Sequence, residues 1–117
     1  MVDRRLKLLL DAINAIELAV LFLDQQSLDD YSAHAMSRSA VERQLEVLGE
    51  AFVRLQRDDP ALFDRFPTAR FAVGLRNRII HGYDGVDDAI VHATVATDLP
   101  ALLEQLQSWL RQLDPEA

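Results

Sequence analysis

The sequence predicts an all-α fold, an antiparallel bundle of about four to five helices whose last helix is kinked. Three observations carry this. Apolar residues recur at three- and four-residue steps along most of the chain, the period of a helix with one buried face. No stretch alternates apolar and polar residues as a half-buried strand would. Pro60, Pro67 and Gly82 stand at breaks between the apolar stripes, where helices start and stop. With 117 residues, half of them hydrophobic, residues 1–117 form a single domain able to bury roughly two-thirds of its unfolded surface.

Taken in order, Leu6, Leu9, Leu10, Ile13, Ile16, Val20 and Leu23 define a first helix from Asp3 to about Leu23. Ser27, with Asp30 three positions on, opens a short helix from Leu28 to about Ala33 that packs Tyr31. Val41, Leu45, Leu48, Phe52 and Leu55 then stripe a long helix from about Ser37 to Gln56. Gly49 inside that helix is unfavourable by up to about 1 kcal/mol relative to alanine, so it marks a close helix approach. Asp59-Pro60 starts one helical turn through Phe63, and Pro67 starts the next element. Phe71, Leu75 and Ile79 keep a stripe to His81, where Gly82 stops the helix. After Tyr83-Asp84-Gly85, a long helix from Val86 to Leu113 carries Ile90, Val91, Val95, Leu99, Leu102, Leu103, Leu106 and Leu110 as its apolar residues, with a kink expected near Pro100.

Composition removes several classes of function. No apolar run approaches the roughly 18 to 20 residues of a membrane span, and Met1-Val2-Asp3-Arg4-Arg5 is no secretion signal, so a cytoplasmic protein with no membrane association is expected. With no cysteine, and with histidines only at 34, 81 and 92, no metal site and no cofactor are expected. The net charge of −7 argues against indiscriminate nucleic-acid binding. That charge is uneven, however: residues 54–83 carry six arginines against three acids, while 11–53 and 84–117 are each at −6.

The densest chemistry is the string Arg76-Asn77-Arg78-Ile79-Ile80-His81-Gly82-Tyr83 at a helix end. Arginine can stabilise a pentacovalent phosphorane, histidine can move a proton near neutral pH, and asparagine can orient the phosphate or the imidazole. These types suit RNA cleavage without a metal, in which a 2'-hydroxyl attacks phosphorus and the leaving 5'-oxygen is protonated. A single His81 supplies an acid or a base, one at a time. On a helix Asn77 and His81 share a face, whereas Arg76 and His81 diverge by about 140°. Two copies of the helix about a twofold axis would bring two histidines to one cleft, so a homodimer with a composite site is expected. Plainer readings stand beside this one. His81 could be a dipole-compatible helix end, Arg76 and Arg78 could pair with acids on a neighbouring helix, and Tyr83 could pack on its loop. His34 and His92 read as surface or packing residues, and Trp109 and the phenylalanines as core or interface.

At these residues the sequence resembles the HEPN superfamily (higher eukaryotes and prokaryotes nucleotide-binding), specifically its HepT-like toxin branch. The superfamily hallmark of arginine, a polar residue, a spacer and histidine stands here as Arg76-Asn77 through His81, and Gly82-Tyr83 completes the longer form of arginine, four residues, histidine, one residue, tyrosine. The resemblance extends to Leu8 through Ile13, Ala40 through Ala51, Gly85-Val86-Asp87 and Asp98-Leu99-Pro100. It implies a homodimeric, metal-independent endoribonuclease, the toxin of a toxin-antitoxin pair, acting on RNA. Arg76 and His81 would be the catalytic pair, supported by Asn77, and Arg78 a candidate RNA contact. The implied partner is an MntA-like nucleotidyltransferase antitoxin that neutralises the toxin by transferring AMP to Tyr83. The alternative within the same superfamily is a non-catalytic nucleotide-binding or scaffold module that partners a nucleotidyltransferase.

Overall fold

The computed structural model describes residues 3–82 and 85–116. Tyr83, the expected site of modification, lies outside the described residues. The architecture is all-α: α1 (Arg4–Leu23), α2 (Leu28–Ala33), α3 (Ala35–Asp58), α4 (Pro60–Phe63), α5 (Pro67–His81), α6 (Asp88–Ala93) and α7 (Leu99–Leu113). A π-helical turn, Thr94–Asp98, joins α6 to α7. Among the described residues no helix is long and apolar enough to cross a membrane.

Short polar side chains start most of these helices. Asp3 accepts the Arg5 N–H at 2.9 Å, Ser27 Oγ the Asp30 N–H at 3.1 Å, and Asp59 Oδ1 the Leu62 N–H at 3.0 Å. His34 does the same for α3, its Nδ1 accepting the Ser37 N–H at 3.3 Å. Ion pairs link the antiparallel α1 and α3, Arg4 with Asp58 at 3.3 Å and Arg5 with Asp59 at 3.2 Å, at one end. At the other end Gln26 Nε2 donates to Ser37 Oγ at 2.9 Å.

The face that α1 buries differs from the expected stripe. Leu10 and Val20 are 50% and 41% exposed, while Leu8, Ala12, Ala15 and Ala19 join Leu9, Ile13, Ile16 and Leu23 in the core. Three alanines on one face let α1 lie close to the helices packed on it, α3 and α7, and that close packing selects the face over the larger side chains beside it. In α3 the expected residues Val41, Leu45, Leu48, Phe52 and Leu55 are all buried. In α5 only Leu75 of the expected stripe is buried, together with Ala69 and Ala72, and Phe71 stays 47% exposed. Phe66 closes the far end against Trp109 in a T-shaped contact with ring centroids 6.5 Å apart.

The last helical stretch also departs from expectation. Its irregularity sits one turn before Pro100, which occupies the first turn of α7. Proline has no N–H and crowds the carbonyl four residues back, so the preceding turn widens. Leu99 N–H accordingly donates to Thr94 O, and Thr94 Oγ1 donates to Ile90 O at 2.7 Å.

Candidate active site

Helix α5 carries the motif, and its packing decides where each motif residue faces. With Ala69, Ala72 and Leu75 buried, Arg76 is turned onto α3 and Asn77, Arg78 and His81 are left exposed. Gly49 makes the first contact possible. A Cβ at position 49 would stand 2.3 Å from Arg76 Cβ and 2.8 Å from Arg76 Cδ, so the stem of Arg76 occupies the space that any side chain there would need. The close helix approach expected at Gly49 is therefore an approach to Arg76.

The Arg76 guanidinium is held on two nitrogens. Nη2 pairs with Glu50 Oε2 at 2.9 Å, and Nη1 donates to Asn77 Oδ1 at 2.8 Å. Its Nε is buried without a hydrogen-bond partner among the described residues. Glu50 also accepts from Arg54 Nε at 3.2 Å. Arg76 lines a groove of about 380 Å³ between α1, α3 and α5, with Asp11, Arg43, Glu46, Glu50 and Ile80 among its walls.

Asn77, Arg78 and His81 line a different cavity of about 560 Å³, bounded by Gly82, Gly85, Val86, Asp87 and Ile90. Gly82 has an ordinary extended backbone, φ −79°, and a steric role: a Cβ there would lie 2.3 Å from Arg78 O. A smaller groove of about 250 Å³ adjoins, lined by Phe71, Gly74, Leu75, Arg78 and Ile90. Within this chain the motif is thus split. Asn77, Arg78 and His81 share a cavity, Arg76 faces another, and the Asn77 amide is the link between them. The divergence of Arg76 and His81 that helical spacing predicts is present, and the neighbouring-helix acid that Arg76 was expected to meet on the plainer reading is Glu50.

The other histidines lie away from this site. His34 caps α3 and also meets Ser37 Oγ, while His92 Nε2 donates to Gln26 O at 2.7 Å and its ring centroid lies 6.1 Å from that of Tyr31. Tyr31 is fully buried, and burial, reinforced by the charges of Glu42 and Asp88, pushes its phenol well above the usual range. Glu42 is raised too, by burial first and by Asp88 second. The residue that sequence reasoning left without a role is Glu50. Its signal was present in retrospect: an acid beside the one glycine in the middle of α3.

Residues 12–109 match the family model described as ribonuclease HepT-like. The chain belongs to the HepT-like ribonuclease family. It is 34% identical over 92 residues to a protein of Thermococcus cleftensis named probable ribonuclease HepT, covering 79% of this chain and 83% of that one. A candidate RNase of Methanocaldococcus jannaschii is 26% identical over 91% of this chain and 90% of its own length. One from Caldanaerobacter subterraneus is 29% identical over 74% and 76% respectively. No solved structure matches. The matched span includes the whole of α5, so the HepT-like family assignment and the split motif concern the same residues.

Proposed function

We propose that this HepT-like chain is a metal-independent endoribonuclease, the toxin of a toxin-antitoxin pair, with its site completed by a second copy. The observation that carries this reading is the grouping of Asn77, Arg78 and His81 around one open cavity at the end of α5. An amide, a guanidinium and an imidazole offered together to solvent suit a phosphodiester better than they suit a core.

In the reaction, a neutral His81 imidazole removes the proton of an RNA 2'-hydroxyl as its oxygen attacks the adjacent phosphorus. The bond from phosphorus to the 5'-oxygen breaks, and a protonated His81 from a second copy gives that oxygen its proton. The products are a 2',3'-cyclic phosphate and a free 5'-hydroxyl. In the cleft that the second copy completes, the groove of Arg76 joins the His81 cavity, so that the Arg76 guanidinium offsets the charge building on the phosphorane oxygens while Asn77 orients it. The half-exposed Phe71 and the apolar groove beside Arg78 support a second copy docking along α5. An MntA-like antitoxin would silence the enzyme by placing AMP on Tyr83. Two residues from His81, that bulky anion would repel RNA phosphate and occupy its space.

The test is cleavage of total cellular RNA by purified protein in EDTA, with the new ends analysed for cyclic phosphate. Wild-type protein should yield cyclic-phosphate ends, and His81→Ala should not while keeping its helical content. Activity retained in His81→Ala refutes the assignment, and an inactive wild type favours a non-catalytic module that binds a nucleotidyltransferase.

A further inference from the structure

The geometry points to Gly49 and Glu50 as a positioning pair that sets the Arg76 guanidinium, an inference that rests on the ribonuclease reading above. Both sit on α3, and each constrains a different part of the same side chain. Gly49 admits the stem: no residue with a Cβ fits within 2.3 Å of Arg76 Cβ, so α5 approaches α3 this closely only because position 49 is glycine. Glu50 holds the head, its Oε2 at 2.9 Å from Arg76 Nη2, while Asn77 takes Nη1 at 2.8 Å.

A guanidinium is planar, so two anchors on its two terminal nitrogens fix the plane as well as the position. The stem is fixed as well. Arg76 is only 23% exposed, and its Nε is buried. Four rotatable bonds that would otherwise disperse the charge are thus held before RNA arrives, which is what stabilisation of a developing phosphorane requires. Lysine could not reproduce this, since a single ammonium cannot present two parallel donors in a fixed plane. Glu50 touches no substrate in this scheme and acts through Arg76 alone.

The experiment measures single-turnover cleavage of total cellular RNA with enzyme in excess, separating the rate at saturation from the half-saturating enzyme concentration. Glu50→Gln keeps size and hydrogen bonding while removing the charge, and on the groove surface it should leave the melting temperature nearly unchanged. The saturating rate should fall by about tenfold or more with half-saturation little altered. Glu50→Asp, charged but one methylene short, should recover part of that loss. In an Arg76→Lys background Glu50→Gln should cost much less than it does in the wild type, since the fork it holds is gone. Gly49→Ala should produce the same fall in saturating rate if it folds. A Glu50→Gln enzyme as fast as wild type overturns the positioning role while the ribonuclease reading stands. A faster one also overturns it and makes the ion pair a brake. An inactive wild type removes the parent reading and this inference together.

Discussion

Asn77 Oδ1 accepts a 2.8 Å hydrogen bond from Arg76 Nη1, so the amide that lines the His81 cavity also holds the guanidinium that faces the other groove. Adjacent residues on a helix point about 100° apart, and this one contact spans that divergence. Asn77→Ala should therefore lower RNA cleavage by roughly ten- to a hundredfold, through loss of orientation. Its melting temperature should stay close to wild type, because Asn77 is exposed. Parallel cleavage assays and thermal melts check both halves.

Gly82 tests the end of α5 in another way. A Cβ at this position would meet Arg78 O at 2.3 Å, so Gly82→Ala must open the last turn that presents His81. The expected outcome is a stability loss of about 1–2 kcal/mol with a much larger loss of cleavage. Circular-dichroism melts read the first and RNA cleavage the second. A variant with wild-type activity would show that the helix end tolerates rearrangement.

Tyr31 offers a substitution in the stabilising direction. Its hydroxyl is buried with no hydrogen-bond partner among the described residues, while its ring is fully packed. Tyr31→Phe keeps the ring and removes an unpaired polar group, which should raise stability by about 1 kcal/mol, or about 4 °C in melting temperature. Scanning calorimetry at neutral pH measures it, and a lower melting temperature would mean that the hydroxyl is bonded in solution.

Glu42 sets a pH dependence of stability. Burial first, and repulsion from Asp88 second, raise its folded-state pKa above the ordinary value of 4.5. Ionised Glu42 therefore works against folding above that raised value, and the penalty fades as pH falls until the carboxyl is protonated in both states. Glu42→Gln should raise the melting temperature at pH 7, and the advantage should shrink to nothing below about pH 4. Melts of both proteins across that range check the sign.

The sequence carried much of this fold on its own because caps and periodicity act locally. Ser27 and Asp59 bond to backbone N–H groups three residues away, and Val41, Leu45, Leu48, Phe52 and Leu55 fall on one face by helical spacing alone. Local rules did not choose between neighbouring faces of α1. Leu10 and Ala12 are both compatible with a helix, and only packing against α3 and α7 made the alanine face the buried one. Pro100 was legible as a disturbance, yet the widened turn fell at Thr94–Asp98, because proline acts on the carbonyl before it.

The motif divides along the same line. The sequence by itself determined which chemistry is available, since Arg76, Asn77, Arg78 and His81 are consecutive or nearly so and their helical spacing already separates Arg76 from His81. Which groove Arg76 enters, and which acid meets it there, belonged to the tertiary structure alone. Gly49 and Glu50 lie 26 and more residues earlier in the chain, and no local rule brings them to Arg76. That contact exists because α3 and α5 bury their apolar faces against each other. Hydrophobic burial brings the two helices together, and the missing Cβ at Gly49 fixes how closely they pass.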